Sequence, residues 1–162
     1  MSSPGPTSGS GLHFAISFTP SPNRSAREKP ISAIVLHNTA GKAAGAVKWF
    51  QDPKSKVSAH YVVTRSGPVI QCVDEKDAAW HAGNRDINHS SIGIEIEAYA
   101  EDRGLTASQS DTLVSLIRWI MDRHQIAKIL LHRQVRATEC PSLVWPRDAD
   151  FHAWAQSKGL PE

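Results

Sequence analysis

The sequence predicts a single-domain α/β protein, and three observations carry that prediction. Short apolar runs of strand length recur along the chain, an amphipathic segment with a capping signal precedes the last of them, and 162 residues suffice to bury one core. Two cysteines are too few for a disulfide framework, so stability must come from burial.

The elements follow in order. The opening residues, MSSPGPTSGSGL, are rich in Ser, Gly and Pro and lack the basic start and apolar stretch of a Sec signal peptide. They read as a flexible leader, with residues 1–30 assigned to leader and N-terminal segment and residues 31–158 to the folded domain. Strands are expected near 31–37, 58–64, 68–73, 91–97 and 128–132. A short helix is expected over roughly Ala43 to Gln51, and a third after Pro146. The long helix between is marked by Thr106 and Gln109 at capping-box spacing, with Leu113, Ile117, Ile120 and His124 along one face. Cys72, after the apolar pair of PVIQCVD, reads as a buried strand residue. No second domain, repeat or separate binding module is visible.

Composition excludes some classes. A net charge of +2 and a pI near 8.6 suit an anionic partner without requiring one. No run of Lys and Arg with interleaved aromatics points to nucleic acid, and no apolar stretch approaches membrane-spanning length.

The segment LHRQVRATECPS places His132 and Cys140 at the two ends of one short loop. Far upstream, IVLHNTAG ends an apolar strand on His37, where a side chain can leave the sheet and enter a cleft. Together they form an N,N,S donor set of the kind zinc accepts in catalytic sites, where three protein ligands leave the fourth position to water. Singly, each has a simpler reading: a strand-ending histidine is usually packed, and a lone cysteine is usually a small buried apolar group. In SIGIEIEA, Ile92, Ile94 and Ile96 project to one face and Gly93, Glu95 and Glu97 to the other. A half-buried strand with solvated glutamates has the same pattern.

The ordered series IVLHNTAG, VSAHYVVTRSGPVIQ, AAWHAGN, SIGIEIEA and LHRQVRATECPS closely resembles the zinc-dependent N-acetylmuramoyl-L-alanine amidases of the type 2 family, from about Ile31 to about Trp154. That family includes AmpD-like recycling enzymes, phage endolysins and the peptidoglycan recognition proteins. The resemblance implies a mixed central sheet flanked by helices, with zinc in a cleft. It implies hydrolysis of the amide between the lactyl group of N-acetylmuramic acid and L-alanine, with peptidoglycan or muropeptides as partner.

By the same resemblance His37, His132 and Cys140 are the metal ligands, and Glu95 stands where AmpD-like enzymes and several endolysins carry a catalytic glutamate. Cysteine as third ligand is similar to phage lysozyme-type amidases and catalytic recognition proteins; AmpD-like enzymes have aspartate there. Thr138 stands where the phage enzymes carry a catalytic lysine and catalytic recognition proteins a threonine, and is expected to act as a neutral oxyanion donor. The tyrosine of those relatives aligns with Ala59, so its role is not transferred to Tyr61. His81 resembles a groove histidine that contacts glycan and peptide, with Asn84 assisting; Trp80 reads as groove or core, His60 as a support, and Glu97 as solvated or supporting. His13, His89, His124 and His152 are expected at the surface or in caps.

The expectation is thus a monomeric endolysin-type amidase, made in the cytoplasm without a Sec signal and reaching the wall through a holin or secretion route. The alternatives are a cytosolic anhydro-muropeptide recycling amidase, disfavoured by Cys140 and by the short link Arg85 to Ser90, and a non-catalytic peptidoglycan-binding module.

Overall fold

The computed structural model describes residues 14–161. His13 and the Ser/Gly/Pro-rich leader lie outside the described residues. The strands are β1 (Ile16–Phe18), β2 (Arg24–Ala26), β3 (Ala33–Asn38), β4 (Tyr61–Val63), β5 (Val69–Gln71), β6 (Asp77–Ala79), β7 (Ser91–Ile96) and β8 (Lys128–Leu131). The helices are α1 (Ala43–Gln51), α2 (Arg85–Ser90), α3 (Ala107–Met121) and α4 (Asp148–Ser157).

Six strands form a mixed sheet in the order β1-β5-β4-β7-β3-β8, in which only the β4–β5 pairing is antiparallel. β3 and β7 lie centrally and are covered on both faces, which is why AIVLH reads as a continuous apolar run. Ile34, Leu36, Ile92, Ile94 and Ile96 face one side, where Leu113, Leu116, Ile117 and Ile120 of α3 and Phe151 of α4 complete the main core. On the other side α1 buries Ala43, Val47 and Phe50 against Ala59, Val62 and Cys72.

α3 begins as the sequence predicts. Thr106 Oγ1 accepts from the Gln109 amide at 3.0 Å, and Gln109 Oε1 accepts from the Thr106 amide at 3.1 Å, so two orphan donors are satisfied reciprocally. Leu113, Ile117 and Ile120 are fully buried along one face. His124 lies past the end of α3.

Several expectations are corrected. The folded unit starts before residue 31: β1 pairs with β5, β2 pairs with β6, and the Arg27 guanidinium donates to the carbonyls of Glu75, Asp77, His89 and Ser91. Three-residue strands of sequence ISF and RSA carry no readable alternation, which is why sequence reasoning passed over them. Arg85 to Ser90 is a helix, capped by Asn84. His89 is buried, its Nδ1 accepting from the Glu28 amide at 3.1 Å. Tyr61, to which no site role is transferred, faces the α3 core, where its hydroxyl donates to Glu75 Oε1 at 2.5 Å.

Candidate metal centre

The parallel strands β3, β7 and β8 end on one edge of the sheet, where a crevice opens beyond the carboxyl ends of the strands. Register decides what meets there. His37 is the Cα partner of Glu95, and Leu36 pairs with Leu131, so His132 follows at the same level. Because Leu36 and Ile94 face the main core, the adjacent His37 and Glu95 face the other way, towards the α1 side.

Cys140 returns to this edge through a compact loop. His132 opens a single 3-10 turn, and the Cys140 carbonyl accepts from the Arg133 amide at 3.0 Å. Asn38, one residue beyond His37, latches the loop: its amide donates to Cys140 Sγ at 3.3 Å and its Oδ1 accepts from the Leu143 amide at 3.1 Å. The donor atoms of His37, His132 and Cys140 all lie within 4.8 Å of one another.

This geometry fits a tetrahedral-type zinc site with one open position. Nε2 of His37 meets His81 Nδ1 at 3.0 Å, and Nε2 of His132 meets the Ala82 carbonyl at 3.3 Å, which leaves Nδ1 of each ring for a metal. Burial holds His37 well below the usual histidine range, with His132 as a second cause, and burial likewise lowers His132 against the opposing Ala82 carbonyl. Both rings are thus neutral donors at pH 7. Burial, then the Glu95 carboxyl, push the Cys140 thiol up to about 12 despite the Asn38 amide.

His37, Glu95, His132, Thr138 and Cys140 all line one cavity of about 560 Å³, a volume ordinary for a ligand site. Burial raises the Glu95 carboxyl to about 8, and its Oε2 is buried without a hydrogen-bond partner. A native protein rarely leaves such an atom unpaired, so this oxygen points to a bound partner outside the chain. Thr138 Oγ1 accepts from the Cys140 amide at 3.2 Å, which leaves its hydroxyl proton to donate elsewhere.

The remaining predicted residues divide. His81 lines the cavity floor with both ring nitrogens engaged, by His37 and by Ser91. Asn84 caps α2, with Oδ1 accepting from the Ile87 amide at 3.3 Å, and does not line the cavity. Glu97 is a support: it accepts from the Ala43 amide at the start of α1 and from the Arg65 amide. His60 is buried, accepting from the Gly93 amide at Nδ1 and meeting the Asp77 carbonyl at Nε2, and burial lowers it to about 4.

Sequence reasoning missed Asn38, Asn88, Ser91 and Trp49. Trp49 carried a signal: it falls off the Ala43–Val47–Phe50 face of α1, and it is 56 % exposed and lines the cavity, as does Trp80. The other three are small polar residues, and only the structure shows what they hold.

A family profile described as N-acetylmuramoyl-L-alanine amidase matches residues 27–143. N-acetylmuramoyl-L-alanine amidase A of Achromobacter lyticus is 42% identical over 85 residues, which is 52% of this chain and 47% of that protein. The chain therefore spans about half the length of that relative. The endolysin of Escherichia phage T7 is 30% identical over 140 residues, covering 79% of this chain and 87% of the phage protein. Among solved structures, a mutant endolysin from Bacillus subtilis superposes with a TM-score of 0.70 at 26% identity, covering 90% of this chain and 97% of the other.

Proposed function

We propose, from the premise that this chain belongs to the N-acetylmuramoyl-L-alanine amidase family, that it hydrolyses the amide joining N-acetylmuramic acid to the L-alanine of the peptidoglycan stem. The observation that carries the reading is the convergence of His37, His132 and Cys140 within 4.8 Å in the cavity that also holds the unpartnered Glu95 Oε2.

His37, His132 and Cys140 would hold a zinc ion. When bound, zinc supplies Lewis-acid polarisation of the scissile carbonyl and a water acidic enough to react near neutral pH. Glu95 takes a proton from the attacking water and returns it to the leaving amine nitrogen of L-alanine. Thr138 donates a hydrogen bond to the oxygen on which charge develops; a hydroxyl brings no formal charge, so its share is smaller than a lysine's.

The setting we favour is that of an endolysin-type monomer acting on polymeric wall after release from the cytoplasm. Cys140 in the third ligand position supports this over a recycling amidase. Among the described residues, no helix is long and apolar enough to cross a membrane.

The test is mass spectrometry of products after the zinc-loaded protein meets intact sacculi, with a chelator-treated control. Free stem peptides beginning at L-alanine, abolished by chelation, are expected. Intact sacculi carrying bound protein would favour a binding module, and cleavage confined to soluble anhydro-muropeptides would favour the recycling enzyme.

A further inference from the structure

In a metal-ligating imidazole one nitrogen binds through its lone pair, while the other carries a proton and is aimed by a neighbour. Here the direction of each hydrogen bond follows from the one before it. Ser91 Oγ lies 2.5 Å from the Ile87 carbonyl, which can only accept, so the single hydroxyl proton points there. The 3.1 Å contact between Ser91 Oγ and His81 Nε2 then requires Nε2 to carry a proton and donate it. In the neutral ring this leaves Nδ1 bare, and that atom sits 3.0 Å from His37 Nε2. His37 therefore donates from Nε2 and keeps its Nδ1 lone pair for the cavity. His132 reaches the same state directly, because its Nε2 meets the Ala82 carbonyl.

We propose that His81 and Ala82 together orient the metal centre: the His81 ring, backed by Ser91, and the Ala82 carbonyl fix His37 and His132 in the tautomer that offers Nδ1 to zinc. The inference rests on the zinc-site reading above and assigns His81 as a positioning residue, where resemblance implied a ligand contact.

Two further observations show that this arrangement is built into the fold. Asn88 Oδ1 accepts from the His81 amide at 3.3 Å and the Ala82 amide at 2.8 Å, pinning the dipeptide to α2. Gly93 provides the seat for the ring: a Cβ there would lie 2.4 Å from His81 Cγ, too close for any side chain. Ser91 and Gly93 share one face of β7 with Glu95, so one strand carries the relay, the seat and the candidate base.

The experiment is zinc affinity by chelator competition on the full chain, together with nitrogen NMR of the imidazoles in the metal-free protein. Wild type is expected to bind zinc and to show His37 and His132 protonated at Nε2. His81→Phe should weaken zinc about 10- to 100-fold. His81→Asn, whose Oδ1 stands where Nδ1 was, should recover most of that loss, and Ser91→Ala should fall between. Zinc affinity within twofold of wild type in both His81 variants, with only KM raised, would overturn the proposal and return His81 to a substrate contact. A His37 protonated at Nδ1 in wild type would overturn it without any variant having to fold. Failure of wild type to bind zinc would instead overturn the zinc-site reading as well, so the two failures are distinct.

Discussion

His37 and Glu95 are Cα partners on adjacent parallel strands, so an imidazole from β3 and a carboxyl from β7 enter the cavity side by side. One hydrogen-bonding register thereby fixes the spacing between the candidate metal donor and the candidate base, without a flexible loop between them.

That placement has a cost which can be measured. Burial raises Glu95 to about 8, above the roughly 4.3 of an unfolded glutamate. Between those values the native state holds a proton that the unfolded chain has released, so stability falls as pH rises through the window. Glu95→Gln removes that cost: in chelator it should melt a few degrees above wild type at pH 8, with the gap closing towards pH 4. The same variant should retain zinc and lose about 10²-fold or more in hydrolysis. Near-normal turnover would move the base elsewhere.

Zinc loading should release a proton. Burial keeps His37 and His132 neutral and the Cys140 thiol protonated at pH 7, so the metal displaces at least one proton, from sulfur, and any second comes from the raised Glu95 carboxyl beside it. Titration calorimetry in buffers of different ionisation enthalpy counts it, and apparent affinity should rise about tenfold per pH unit between pH 6 and 8. Cys140→Ser should lose tight zinc binding and hydrolysis together while retaining some binding to sacculi. Undiminished turnover in that variant would refute the ligand assignment.

How far the sequence disclosed this site depends on the length scale of each signal. The donor set, Glu95 and the α3 cap sit in motifs whose strand or helix period survives in one dimension. The second layer does not: Ser91, Asn88 and Asn38 act through hydrogen bonds that reach residues 10, 7 and 102 positions away, and nothing in their neighbours marks such a partner. The same holds for β1, β2 and β6: β1 is a strand because β5 lies beside it, and β2 and β6 because each pairs with the other. Tyr61 likewise takes its place from pairing: the β4–β7 register sets it beside Ile94 on the core side.

A second titration governs acid stability. Glu75 is 7 % exposed; burial alone would raise it, but hydrogen bonds from Arg123, Tyr61 and His124 outweigh that and hold it below the usual glutamate range. A depressed folded value means the contribution is complete above about pH 4.3 and is lost as pH falls through the folded value. Glu75→Gln should cost about 1.5–3 kcal/mol at pH 7 and should flatten the acid limb of the stability curve. Urea titrations of both proteins at pH 7 and pH 3 check this, and parallel curves would show that the cluster is not what acid disrupts.

Trp49 separates substrate contact from packing. Its indole is 56 % exposed and lines the cavity, as does Trp80, whereas Trp145 is 4 % exposed and meets the Phe151 ring edge-on and the tilted Trp154 ring. Losing a buried indole leaves a cavity that costs about 3–5 kcal/mol; losing an exposed one changes stability by about 0.5 kcal/mol or less. Trp49→Ala should therefore melt like wild type, while Trp145→Ala should lose most of its stability. If the flat face of Trp49 receives a sugar ring or stem peptide, binding is lost equally in ground and transition states, so KM on soluble muropeptides should rise about tenfold with kcat little changed. An unchanged KM would show that the bound substrate does not rest on Trp49.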